Sequence, residues 1–529
     1  MEVASSSASP GLLDRARIVA APGFNRWLVP PAALAIHLCI GMAYGFSVFW
    51  LPLSRALGVT RPVMCPDLTL GAALFTTTCD WRVADLGWMY TLFFVFLGSS
   101  AALWGGWLER SGPRKAGVVS AICWCGGIVI AAIGVIVHQL WIMWLGGGVI
   151  GGIGLGLGYI SPVSTLVKWF PDRRGMATGM AIMGFGGGAM IGAPLANLLM
   201  TYFRTPTSVG VWQTFIVLAA IYFVFMMSGA FAYRVPPDST LRASASALRA
   251  SADKSSGEPM VTSGSVHYRE APKTKQFWLI WAVLCLNVSA GIGVIGMASP
   301  MLQEIFGASA AVAAGFTGLI SLFNIGGRFF WASLSDHIGR KATYATFFLL
   351  GIALYASAPS LARSGSQAAF VLAVCVIVSM YGGGFATIPA YLADTFGTQF
   401  VGAIHGRLLT SWSTAGIIGP VLVNYIREAQ IAAGVPRQQV YDFTMYILAG
   451  LLLLGLIANA LVKPLAERWF TNQEPRTPDP GSLIPDPYRR AVAAFDFRTA
   501  AAWAAVALPI AWGVWVTLSQ ALVLFSGGV

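Results

Sequence analysis

The chain has 529 residues, of which 56% are hydrophobic and only 10% charged, against about 25% charged in an average soluble domain. That deficit excludes a water-soluble enzyme, a disordered chain and a coiled coil. The formal net charge of +12 does not mark a nucleic-acid groove, because the basic residues sit in short stretches between long apolar runs. That is a topology bias, not a phosphate track.

Residues 1–26 are polar and Ser/Ala-rich and lead into a full-length apolar run, which reads as a cytoplasmic N-terminal tail rather than a cleaved leader. A spanning helix takes roughly 20 apolar residues. Such segments fall at 27–53, 84–108, 116–137, 139–166, 174–199 and 211–232. The hydrophilic stretch 233–275 lacks periodicity and reads as a cytoplasmic linker. Six more spans follow at 276–302, 311–334, 341–361, 368–393, 401–425 and 441–463, then a polar cytoplasmic connector, 464–498, and one further span, 499–526. The predicted fold class is an all-α membrane protein. Its 12-helix core has two six-helix halves, 27–232 and 276–463, and an accessory transmembrane helix lies in 499–529.

With the N-terminus inside, the inner segments collect most of the Lys and Arg. The outer ones hold Arg55, Arg61, Arg82, Arg204, Arg363, Arg427 and Arg437. The positive-inside rule therefore predicts a cytoplasmic N-terminus and, after thirteen spans, a C-terminus outside. Cys39, Cys123, Cys125, Cys285 and Cys375 lie in apolar runs and read as small buried residues. Cys65 and Cys79 share the outer polar stretch 56–83, where a disulfide and two unpaired thiols are both open.

An internal repeat supports the division into halves. GGWLERSGPRK (105–115) follows the second span and WASLSDHIGRK (331–341) follows the eighth. Glu109, Arg110, Arg114 and Lys115, and Asp336, Arg340 and Lys341, read as a gating latch: a carboxylate at a helix end with bases reaching to the next helix. Anchoring at the lipid headgroups is the alternative. Repeated halves around a midplane cleft are a signature of secondary transporters.

One ionisable residue is out of place. Arg328 lies eight residues before Asp336, about 12 Å into a hydrocarbon core roughly 30 Å thick. Burying it there costs about 2.5–3.5 kcal/mol, and a guanidinium does not shed its charge. Its planar fork suits a carboxylate; a structural Arg bonded to backbone carbonyls is the competing reading. Asn324, four residues earlier, shares its helix face. Tyr159 and Tyr381 lie at intramembrane depth beside Gly-rich strings, where a phenol is a neutral donor to an anion. His37 and Tyr44, seven apart in the first span, fall roughly on one face of an α-helix. His37 is either a proton carrier or a neutral hydrogen-bonded residue.

The six-plus-six arrangement and the paired loops resemble the major facilitator superfamily, although Ala332 and His337 depart from the usual Gly and base. The strings YGFSVFWLPL (44–53), GLGYISPVSTLVKWFPDRRG (156–175), NIGGRFFWASLSD (324–336) and DTFGTQFVGAIHGRLLTSW (394–412) are similar to the oxalate/formate antiporter family and its bacterial monocarboxylate-transporting relatives. The resemblance implies a substrate cavity lined by Tyr44, by the Asn324–Arg328 pair and by Tyr159 and Tyr381, with His37 where a relative has another tyrosine. Oxalate carriers add a lysine in the eleventh span. Here 408–416 has none, Trp412 or Ser413 stands near that place, and Ala43 replaces a glutamine.

One cation matches a monoanion. The expected activity is therefore alternating-access secondary transport of a small monocarboxylate (formate, lactate, pyruvate or a hydroxy acid), with oxalate/formate-type exchange as the alternative. Anion exchange and proton symport are both open. A membrane-embedded enzyme or sensor would need clustered catalytic groups or a folded soluble domain, and the sequence shows neither. No cofactor and no metal are expected. The expected partners are the anion, a proton if it is co-transported, and bilayer lipid, without nucleic acid. The expected state is a monomer in a bacterial inner membrane.

Overall fold

The computed structural model describes residues 11–21, 23–65, 68–170, 174–237, 262, 264–397, 400–470 and 496–524. The first ten residues of the predicted tail, most of the predicted linker and 471–495 of the predicted connector lie outside the described residues.

Among the described residues, twelve helices are long and apolar enough to cross a membrane. They are α1 (Arg26–Leu53), α2 (Val83–Ser111), α3 (Pro113–Ile136), α4 (Leu140–Leu166), α5 (Arg174–Phe203), α6 (Val211–Ala232), α7 (Lys275–Phe306), α8 (Ala310–Ile338), α9 (Arg340–Arg363), α10 (Gln367–Phe396), α12 (Asp442–Leu461) and α13 (Phe497–Leu522). Between α10 and α12 runs α11 (Thr410–Ala432), of spanning length but more polar. The predicted span 401–425 is thus corrected to a short helix, Val401–Leu408, followed by α11.

The first six helices meet the next six along two seams, α2 against α11 and α5 against α8, while α13 packs on α8, α5 and α1. The seams are tight because one side of each is small. Gly98 and Gly416 admit Ser413 and Phe94, and Ser413 Oγ donates to Val95 O at 3.2 Å. We call the end where residues 11–25 pack the tail end, and the opposite one the disulfide end. At the tail end, Ala20 N–H donates to Val235 O and Val235 N–H to Ile18 O, both at 2.9 Å, tying the tail to the exit of α6.

Two helices depart from α geometry where glycines cluster. α4 is π-helical over Trp144–Gly151, where Gly127 of α3 faces Gly146 and Gly151 backbone to backbone. α1 is a 3-10 helix over Gly41–Phe49. There Gly41 crosses Gly188 of α5 so closely that a methyl on Gly41 would stand 2.3 Å from Phe185 O. In a 3-10 helix side chains three apart eclipse, so Tyr44, Ser47 and Trp50 form one row. That row faces the second group of helices: Trp50 Nε1 donates to Gly296 O at 2.8 Å, and Ser47 Oγ accepts from Ser299 N–H at 3.4 Å.

At the disulfide end, Cys65 and Cys79 are bonded, with Cα atoms 5.9 Å apart. The adjacent Asp80 carboxylate accepts the N–H groups of Leu57 (2.7 Å), Gly58 (3.0 Å) and Val63 (2.8 Å). His138 stacks flat on Trp81, ring centroids 3.9 Å apart, and donates Nε2–H to Cys79 O at 2.9 Å. Burial pushes its imidazole below the usual range. The bridge closes a loop of sequence separation 14, for which loop entropy predicts about 3 kcal/mol. Cys65→Ser is expected to lower the unfolding temperature in non-reducing detergent by a corresponding amount; an unchanged midpoint would show that Asp80 and His138 hold the loop unaided.

Candidate functional site

Near mid-membrane on α8, Arg328 Nε donates to Asn324 Oδ1 at 3.0 Å. Both side chains are buried. Glycines on the two facing helices make room for them. A methyl on Gly186 of α5 would lie 3.1 Å from Arg328 Nε and 3.0 Å from Asn324 Oδ1, and one on Gly382 of α10 would lie 2.8 Å from Asn324 Oδ1. The backbone between is stitched by Ser321 Oγ, which donates to Gly186 O across the α5–α8 seam. The guanidinium sits over the Phe385 ring, 5.7 Å from its centroid. Among the described residues no carboxylate pairs with it.

Tyr44 and Tyr381 share a hydrogen bond of 2.8 Å between their hydroxyls, joining α1 to α10. Trp412 of α11 is the hub of an aromatic box, with centroids 4.4 Å from Phe385, 5.2 Å from Tyr159, 5.6 Å from Phe94 and 5.7 Å from Phe185. Among the described residues, buried donors in this region without a hydrogen-bond partner include Arg328 Nη1, Asn324 Nδ2, Trp412 Nε1 and the Tyr90 hydroxyl. Leaving each unmade costs about 1–3 kcal/mol, more for the charged one. Donors in excess, one of them a fixed cation, are what a carboxylate needs on its oxygens.

Beside Asn324 a small cavity of about 10 Å³, room for about one water, is walled by Ala189, Ile295, Ile320 and Val378, with Tyr44, Thr317 and Ser321 at its polar edge. A second cavity of about 10 Å³ opens at the tail end among Arg15, Ser164, Lys168 and Pro236. It lies away from the unpartnered donors and is not the candidate site.

The sequence-based residues divide accordingly. Arg328, Asn324, Tyr44, Tyr381 and Tyr159 surround one region. His37 sits a layer behind, with Nε2–H donating to Tyr159 O at 3.1 Å and its ring stacked on Tyr159. His37 and Tyr44 both meet Phe185 edge to face, with ring centroids 6.3 and 4.9 Å away, and the 3-10 segment that begins at Gly41 brings the Tyr44 hydroxyl on to Tyr381 of α10. Phe185, Phe385 and Gly186 were not singled out by sequence reasoning. The one available signal was Phe185 as a lone ring inside the Gly-rich string 179–192.

The paired loops turn at equivalent glycines, Gly112 (φ 88°, ψ 161°) and Gly339 (φ 82°, ψ 154°). Arg114 donates to Phe231 O (2.9 Å) and Leu12 O (3.1 Å), and Lys341 to Ala460 O (2.9 Å) and Val462 O (2.7 Å). Each base thus satisfies the end of the last helix in its group of six. Arg340 pairs with Asp336 at 2.5 Å and with Asp394 at 3.5 Å. Arg110 is exposed and Lys115 half-buried; the Glu109 side chain lies outside the described residues.

The family described as Major Facilitator Superfamily matches residues 32–420. The oxalate:formate antiporter of Oxalobacter formigenes is 25% identical over 405 residues, covering 75% of this chain and 83% of that protein. Apicoplast pyruvate carrier 1 of Toxoplasma gondii is 25% identical over 449 residues, covering 71% and 79%. The crystal structure of a D-xylose–proton symporter has the same fold, with TM-score 0.60 at 14% identity, over 83% of this chain and 98% of that one.

Proposed function

Because this chain belongs to the Major Facilitator Superfamily, and is thus an integral membrane transporter and not an enzyme, we propose that it carries a small monocarboxylate by alternating access, with Arg328 holding the carboxylate. The observation that carries this reading is the set of buried donors without partners, Arg328 Nη1, Asn324 Nδ2 and Trp412 Nε1. In this reading the carboxylate accepts from Arg328 and from one neutral donor, and its short tail lies toward Ile320 and Val378, where the small cavity widens to take it. One fixed cation balances one negative charge; a second carboxylate would lack a counter-charge in an apolar site. The tail end faces the cytoplasm, and the Asp336–Arg340–Asp394 cluster with Arg114 and Lys341 acts as the latch there. Relatives that carry oxalate or pyruvate by name fit an anionic substrate.

The direct test is thermal stabilisation of the purified protein by formate, acetate, lactate, pyruvate and oxalate at equal ionic strength. Monocarboxylates are expected to raise the midpoint and oxalate to leave it unmoved; stabilisation by oxalate alone would reassign the site to a dianion. A second prediction concerns tail length. Ile320→Trp adds bulk on the side where the tail would lie and is expected to weaken lactate binding about tenfold, a change of about 1.4 kcal/mol, while formate, which has no tail, is bound as before. Equal losses for both acids would place the tail elsewhere.

A further inference from the structure

The thirteenth helix is not needed to complete the site, yet it is fixed to both groups of helices. Its buried positions are Thr499, Val506, Gly513, Thr517 and Ala521, spaced by sevens and fours, which place them on one helix face. The lower part of that face rides on the first group. Asn25 Nδ2 donates to Thr499 Oγ1 at 2.8 Å, Trp503 Nε1 donates to Trp27 O at 3.1 Å, and Val506 packs with Leu34 and Ala35 of α1. The upper part lies across the seam between α5 and α8. Thr517 Oγ1 donates to Met190 O of α5 at 3.1 Å. The same Thr517 fills the space over Gly318 of α8, where a methyl would stand 2.2 Å from its Oγ1, and Gln520 covers Gly315 in the same way. Gly513 in turn accepts the backbone of Met190 and Ile191. Small residues that allow such approach, with an interhelical hydrogen bond, are what holds helices together in lipid.

We infer that α13 is a built-in transmembrane subunit docked on the α5–α8 seam, and that it biases the carrier toward conformations in which this seam is closed at the disulfide end. The inference rests on the alternating-access reading, since it supposes that α5 and α8 separate there during the cycle. The asymmetry of the contacts gives the direction. At the tail end α13 is anchored to α1 and, around Met183, to α5, both on one side of the seam. Toward the disulfide end it touches α5 through Met190 and α8 through Gly318 and Gly315, so parting the two helices there uncovers Thr517 and Gln520. Arg328 and Asn324 lie on the same α8, so the bias acts on the helix that carries the proposed carboxylate ligand.

The test is a distance measurement on the full chain in lipid nanodiscs. Spin labels are placed at Thr201 and Ala311, exposed positions near the disulfide-end termini of α5 and α8, with the five free cysteines replaced by alanine. The comparison is with a chain ending before Phe497 and with Thr517→Trp, whose bulk cannot sit over Gly318 but leaves the twelve other helices unaltered. In the full chain the short distance is expected to dominate. Both variants are expected to raise the longer-distance population about fivefold, at the low end of coupling between distant elements. If the shortened chain does not fold, Thr517→Trp decides alone. Variants that transport lactate or formate and show the full chain's distance distribution overturn the inference. A full chain whose distances and counterflow respond to none of the carboxylates overturns the transport reading, and this inference with it.

Discussion

Arg328→Lys is expected to abolish lactate and formate counterflow in proteoliposomes, by roughly 100-fold or more on the scale of truncating one partner of a buried charged pair, while the protein still inserts and purifies as a monodisperse species. The substitution keeps the charge and nearly the same insertion cost. It removes the division of labour in the guanidinium, whose Nε is already committed to Asn324 Oδ1 at 3.0 Å while Nη1 stays open. An ammonium is a single point of donors on a flexible stem; to reach a substrate it must abandon Asn324, and to hold Asn324 it must abandon the substrate. Counterflow within a few-fold of the parent would show that the fork is not the ligand and that Arg328 is structural.

The second large effect falls at the disulfide end of α7 and α11. Arg427 is buried, with Nε donating to Glu304 Oε2 at 2.8 Å, a second bond to Glu304 Oε1, and Nη1 donating to Glu428 Oε1 at 2.6 Å. Tyr441 O–H and Arg437 Nη1 add bonds to Glu304 at 2.7 and 3.1 Å. Arg427→Met leaves the Glu304 carboxylate with only Tyr441 and the exposed Arg437, and is expected to cost about 3–5 kcal/mol, read as a large fall in the unfolding temperature in detergent. The paired change Glu304→Gln with Arg427→Met is expected to recover much of that loss, because the buried carboxylate and its buried partner are removed together and the charges left, Glu428 and Arg437, are more exposed. A single variant as stable as the parent would mean that Arg437 and Tyr441 suffice for Glu304.

The spans were legible because apolar length alone specifies them in a bilayer, and Arg328 because one charge in a long apolar run has few explanations. Arg427 was not. It lies in a helix with Ser, Thr, Asn and Glu on its faces, so the sequence placed it in a connection beyond 425, whereas α11 continues to Ala432 with its polar groups turned against α7 and α2. Phe185 and Phe385 were invisible for the opposite reason: a ring in an apolar run reads the same whether it faces lipid or a guanidinium. The row formed by Tyr44, Ser47 and Trp50 was hidden by winding. Composition does not distinguish a 3-10 stretch from an α-helix, and it was the Gly41–Gly188 crossing that accompanied the tighter form. The repeat at 105–115 and 331–341 was visible as a pattern of charge, but the atoms those bases reach, carbonyls at the ends of α6 and α12, carry no mark in the sequence.

The tighter winding of α1 also works as a torsional register. Each 3-10 residue turns about 120° where an α residue turns about 100°, so rewinding Gly41–Phe49 would swing Tyr44, Ser47 and Trp50 out of line one after another. Their bonds to Tyr381, Ser299 and Gly296 would break, and the segment would shorten by about 4.5 Å.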